Sequence, residues 1–196
     1  MLATEKPEDI RWRYASKLSE LERLEVDRAG RDDTPLEALA DMYFHLMAIY
    51  LIKDDLPNAK FVWKRAPDPV KRALPAFKLL HQVFLALWGR QFPAVYTALQ
   101  APWPPAMQAT MDDLRSLTVH RATSILAKTY ENVAAEDFCS FLGVNPPDVE
   151  KACAELGWRF EAGYIFPTAN VSSESEAIPS EQQLAKLTDF VSFLEC

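Results

Sequence analysis

Histidines, cysteines and paired carboxylates are the side chains here whose chemistry could extend beyond packing. Metal-assisted hydrolysis needs two or three His or carboxylate ligands brought together, commonly on adjacent helical turns. His45, His81 and His120 are far apart, and no His-x-His or His-Glu-x-x-His pairing joins them. Each lies within or beside an apolar stripe, so packed or surface histidines are expected. A Cys–His nucleophile would have to come from Cys139 or Cys153 with His120. Neither thiol has an oxyanion-type glycine turn nearby, and both occupy apolar helix positions where cysteine packs. With Cys196 they make a scattered set, suited neither to a disulfide framework nor to a zinc site. The pairs Asp54-Asp55, Asp112-Asp113 and Glu136-Asp137 fall near expected helix starts, where the helix dipole favours acids. No catalytic, metal-binding or cofactor-binding residue is expected, and the chain reads as a non-enzyme.

The elements that carry these residues are helical almost throughout residues 10–156. Ile10, Tyr14, Leu18, Leu21 and Leu24 share a face over 10–27. Thr34-Pro35-Leu36-Glu37 predicts a capping box with Pro35 in the first turn. The stripe that follows is Leu36, Leu39, Ala40, Tyr43, Leu46, Met47 and Tyr50. Shorter helices are expected at about 56–66, 76–89 and 91–100, punctuated by Pro57, Pro67, Pro69 and Pro75. The 76–89 segment is apolar over most of its circumference, as in a helix buried between layers. A long helix over 106–131 follows the APWPP loop. Stacked helices of this kind make an α-solenoid-like body.

The pattern changes after residue 131. A short helix ends at Gly143, a second starts at Asn145-Pro146-Pro147-Asp148 and stops at Gly157, and two strands flank Gly163. Helices followed by a hairpin give the order of a winged helix. Residues 168–179 are small, polar and acidic, as in a flexible linker. Ser180 and Gln183 form a second capping box, and Leu184, Leu187, Val191 and Leu194 then make one stripe flanked by Phe190 and Phe193. So short an amphipathic helix is marginal alone and must dock. The expected divisions are therefore 1–131 for the helical-repeat part, 132–167 for the winged-helix subdomain, 168–179 for the linker and 180–196 for the C-terminal helix.

Composition narrows the partners. The net charge is −7, with five Gly against 14 Pro, which argues against Gly-rich phosphate loops and broad phosphate binding. The uncharged stretch 91–111 is broken by four prolines, so it makes no membrane span. The N-terminus is charged from Glu5 onward and lacks an apolar signal core, so an intracellular protein is expected. Winged helices often read DNA, yet between Ala134 and Asn170 only Lys151 and Arg159 oppose Glu136, Asp137, Asp148, Glu150, Glu155 and Glu161. That net negative charge repels phosphate. Residues 53–90 are net basic, with eight Lys or Arg against three Asp. A protein-binding role is left. Leu184, Leu187, Phe190, Val191 and Leu194 are expected to dock in a groove, on the chain's own body or on a partner. Phe160, Tyr164 and Phe166 are expected to offer a strand edge, and Ser173 and Ser175 fit an acid-directed kinase.

Four blocks also carry a family pattern. They are Asn58-Ala59-Lys60 to Trp63-Lys64-Arg65, Arg90-Gln91-Phe92-Pro93 to Tyr96-Thr97, and Arg121-Ala122 through Tyr130 to Glu136-Asp137-Phe138. The last is Glu181-Gln182-Gln183-Leu184-Ala185-Lys186-Leu187-Thr188-Asp189-Phe190. Together, over about residues 36–196, they resemble the subunit-eight family of the constitutive photomorphogenesis nine (COP-nine) signalosome, a PCI-domain family. The resemblance implies a mainly α fold: a helical-repeat body ending in a winged helix, then a C-terminal helix that joins a bundle. It implies a non-catalytic scaffold in a complex that removes a NEDD-type modifier from cullin-RING ubiquitin ligases, with catalysis in another, zinc-dependent subunit. Other signalosome subunits would be direct partners, cullin-RING ligases indirect ones, and the location both nucleus and cytoplasm. A PCI subunit of the proteasome lid or of translation initiation factor three, and a winged-helix nucleic-acid-binding regulator, are the alternatives.

Overall fold

Proline sets the helix starts. In the computed structural model, helices α3 (Leu56–Arg65), α4 (Asp68–Ala73), α5 (Pro75–Trp88), α6 (Phe92–Leu99) and α7 (Pro105–Thr129) each have Pro at their first or second position. The missing N–H costs nothing there, because the first-turn donors have no intrahelical acceptor. The structure describes residues 7–28 and 35–168, and towards the C-terminus Leu184, Leu187, Thr188, Phe190 and Val191. Helix α1 (Pro7–Arg28) and helix α2 (Leu36–Ile52) precede the proline-started series. Thr34 of the expected capping box lies outside the described residues. Pro35 itself is the N-cap of α2, and no side chain caps that end. The six-residue α4 replaces what the prolines at 67 and 69 suggested was a connection.

Two helices exchange the roles their sequences suggested. The stripe of α2 predicted one buried face, but Met42, Phe44, Ala48, Ile49, Leu51 and Ile52 are buried as well. Helix α2 is the hub, packed on α1, α3, α4, α5 and α7. The helix expected to lie between layers, α5, instead leaves Leu85 and Trp88 about half exposed, at 52% and 49%. Its inner face holds Phe77, Leu80, Val83 and Phe84.

Helix α7 serves two cores. Met107, Met111, Leu114 and Leu117 belong to the first, built around α2. Ala122 and Leu126 belong to the second, with Phe138, Leu142, Cys153, Trp158 and Ile165. The second core is the winged helix: strand β1 (Val133–Ala134), helix α8 (Ala135–Leu142), a 3-10 turn at Pro146–Asp148, helix α9 (Val149–Leu156), and strands β2 (Arg159–Glu161) and β3 (Tyr164–Phe166). Gly143 and Gly157 end α8 and α9 in the left-handed conformation, as read from the sequence. The sheet is antiparallel in the order β1-β3-β2, with Val133 opposite Ile165 and Phe160 opposite Ile165 from the other side. Ala162 and Gly163, at φ 51° and 82°, make the two-residue turn between β2 and β3. A stacked helical body followed by a small winged helix is the expected fold class.

Candidate functional site

The C-terminal stripe brings four exposed apolar side chains together within eight residues of chain. Leu184, Leu187, Phe190 and Val191 have helical backbone. Each keeps between 51% and 66% of its surface exposed. Thr188 Oγ1 donates to the Leu184 carbonyl at 2.9 Å, a side-chain bond to the residue four positions earlier. None of the four is buried. Leu194, Ser173 and Ser175 lie outside the described residues.

The winged-helix edge is narrower than the sequence suggested. Tyr164 and Ile165 are paired on both sides, by β1 and by β2, so β3 is the central strand and has no open edge there. The two-residue β1 produces this difference, being too short to show any alternation. The open edge beside the hairpin is β2, and Phe160 lies on it, half-buried against the second core. Tyr164 stays 52% exposed on the sheet face. Phe166 is half-buried, with the Arg159 guanidinium 5.2 Å from its ring centroid. Alongside β2 a cavity of about 630 Å³ is lined by Cys139, Pro146, Pro147, Val149 and Phe160 together with Glu136 and Glu150. Such a groove can take an apolar side chain from a chain pairing with the edge.

The groups with chemical potential are placed apart. His45 Nδ1 lies 2.8 Å from the Asp41 carbonyl, and His81 stacks on Trp63 at 3.8 Å. His120 is exposed, and no hydrogen bond joins it to Cys139 or Cys153 among the described residues. Burial pushes both thiols up, which makes them poorer nucleophiles at neutral pH. Asp55 caps α3 by accepting from the Asn58 N–H at 3.2 Å, and Glu136 and Asp137 sit in the first turn of α8. Asp113 departs from its expected place. It lies inside α7, where it accepts from the Tyr14 hydroxyl at 2.7 Å and tethers α1. Among the described residues no group of three His, Cys, Asp or Glu could hold a metal ion, and no helix is long and apolar enough to cross a membrane. Outward from α9 point Glu150 and Glu155, the wrong sign for reading nucleic acid.

The CSN8/PSMD8/EIF3K family matches residues 37–184. A "COP9 signalosome complex subunit 8" from Xenopus tropicalis is 36% identical over 157 residues, 79% of this chain and 81% of that protein. The protein of the same name from Danio rerio is 34% identical over 181 residues, covering 91% and 92%. That from Arabidopsis thaliana is 26% identical over 157 residues, 77% of each.

Proposed function

The chain belongs to the CSN8/PSMD8/EIF3K family, and on that premise we propose that it is a non-catalytic scaffold subunit of a COP9 signalosome. The observation that carries the reading is the likeness to proteins named subunit 8 along most of both chains. Physical support comes from the exposed C-terminal stripe, an apolar face of the kind that marks contact with another chain. In this reading Leu184, Leu187, Phe190, Val191 and Leu194 enter a bundle of helices from neighbouring subunits. Phe160, Tyr164 and Phe166 meet a neighbouring winged helix along β2 and the adjoining sheet face. The complex removes a NEDD-type modifier from cullins, its zinc-dependent catalysis residing in another subunit, and it works in cytoplasm and nucleus. Ser173 and Ser175 accept phosphate in the acidic linker.

Affinity purification with mass spectrometry tests the assignment. Recovery of a metalloprotease subunit and cullins is expected; recovery of proteasomal or initiation-factor subunits, or of DNA alone, would overturn it. Truncation after Pro179 should abolish co-purification, and undiminished assembly would remove the C-terminal helix from the reading.

A further inference from the structure

Among the described residues, two that are not glycine hold left-handed backbone at helix ends, and both line one cavity. Asp54, at φ 66°, follows α2, and Arg90, at φ 52°, follows α5. Paired backbone bonds close each turn: Asp55 N to Tyr50 O and Gln91 N to Ala86 O, both at 2.9 Å. Glycine is the ordinary occupant of such a position, and strain kept at two neighbouring turns calls for a use of the side chains. The cavity between them holds about 330 Å³. Its apolar wall includes Leu56, Leu87, Trp88, Phe92 and Ile125.

Arg121 of α7 reaches the same cavity with 18% of its side chain exposed. Its Nη1 lies 2.8 Å from the Asp54 carboxylate. Its Nε and Nη2 are buried and have no hydrogen-bond partner among the described residues. Those two N–H groups point side by side along one edge of the guanidinium, the fork that matches the two oxygens of a carboxylate. Leaving both unpaired is costly, and burial pulls the guanidinium pKa down against the opposing pull of Asp54. Arg11 and Arg90 add positive charge nearby, whereas Asp54 is the only acid among the described residues lining the cavity.

We propose that this cavity receives one Asp or Glu carboxylate of a partner chain, carried on a segment with apolar neighbours and recognised by Arg121 and Arg90. Both Arg121 donors lie beneath the cavity wall, so binding turns the guanidinium outward and exchanges two unpaired N–H groups for a bidentate pair. The apolar wall suits the flanking side chains, and Asp54 penalises a doubly charged group such as phosphate. Outside the cavity the surface continues along the exposed part of Trp88, where Lys60 Nζ sits 4.7 Å from the ring centroid. The occupant is therefore acidic and apolar together. The proposal rests on the assembly reading only for the partner's identity.

The test uses the full chain and the probe acetyl-Leu-Glu-Leu-amide, followed through the Arg121 Nε–H resonance. The glutamate peptide should shift that resonance to saturation, with its glutamine counterpart at least tenfold weaker. Arg121→Lys should lose the binding while remaining folded. Arg90→Gly should raise the melting temperature of the isolated chain and still bind the peptide several-fold more weakly, a pairing that a merely structural role does not produce. Equal binding of the two peptides, full binding by Arg90→Gly, or the same shift with inorganic phosphate would overturn the site. On co-expression with the signalosome subunits, both variants should be recovered at a tenth of the wild-type level or less. Equal recovery overturns the partner as the source of the carboxylate, even where the peptide binds. Should the wild-type chain join no subunit, the assembly reading fails, and the peptide result alone decides the site.

Discussion

Tyr96 packs against the Cα of Gly143 so closely that a Cβ added there would lie 2.7 Å from the ring. The Tyr96 hydroxyl donates to the Phe141 carbonyl at 2.9 Å, two residues earlier in the last turn of α8. One side chain of α6 therefore fixes both the end of α8 and the seating of the winged helix on the body. Gly143 is needed twice over, for its φ of 65° and for the space.

Gly143→Ala should accordingly destabilise the chain by about 2–5 kcal/mol, combining the left-handed penalty with overpacking against the ring. Tyr96→Phe should cost about 1–2 kcal/mol by leaving a carbonyl without its donor. Urea unfolding measures both. The double variant Gly143→Ala, Tyr96→Ala should recover part of the Gly143→Ala loss, because the clash disappears with the ring.

Helix α1 is held to the body by an apolar face, Ile10, Tyr14, Leu18, Leu21 and Leu24, and by polar contacts beside it. Beyond the buried Ile10, Tyr14 and Leu18, it accepts a hydrogen bond from Tyr50 at Glu22 (2.7 Å) and a two-pronged contact from Arg65 at Glu25 (2.9 and 3.0 Å). Tyr50→Phe should cost about 1–2 kcal/mol and raise hydrogen exchange selectively within residues 7–28. Uniform exchange across the body would contradict a local tether.

Alkaline pH should act on the same junction. Burial and the bond to Asp113 push the Tyr14 hydroxyl from 10.0 up to about 12. A raised folded-state pKa means this stabilisation is whole below pH 10 and lost as pH climbs towards about 12. Asp113→Asn should reduce the fall in stability across that window, as read from melting temperatures at pH 9 and pH 11.

Acid should act through His81. Burial, assisted by Lys71, lowers its pKa below 6.5 while its ring lies on Trp63 with an interplanar angle of 11°. The folded state favours the neutral ring, so this contribution is present above pH 6.5 and lost as pH falls through the folded pKa. His120, its pKa lowered by partial desolvation and by Arg11, works in the same direction. His81→Phe should therefore shrink the drop in melting temperature between pH 7 and pH 5, leaving the His120 share.

What was legible in the sequence was local. Helix starts could be read because Pro57, Pro75, Pro93 and Pro105 act on their own first turns, and Gly143 and Gly157 announce their caps by lacking a Cβ. The exchange of roles between α2 and α5 was illegible, since both are apolar and only the packing decides which lies in the middle. Val133-Ala134 carries no strand signal, yet its pairing removes the open edge from Tyr164. Asp54, Arg90 and Arg121 are ordinary in sequence and become a site only because α2, α5 and α7 converge. The C-terminal stripe was legible, its spacing being a property of one helix.

That stripe yields the sharpest separation of stability from assembly. Leu187 and Phe190 are 60% and 66% exposed, so Leu187→Asp or Phe190→Asp removes little burial from the isolated chain. Its melting temperature should change by no more than a degree or two, the range of about 0.5 kcal/mol typical of exposed sites. In a bundle the same aspartate would be desolvated without a partner, a cost of several kcal/mol that an apolar interface cannot offset. Co-purification should therefore fall at least tenfold, while Thr188→Ala, which removes only an i to i−4 bond, should assemble normally. If either aspartate variant lowered the melting temperature of the isolated chain as much as it weakened assembly, the stripe would be packing on its own body, and the bundle reading would be wrong.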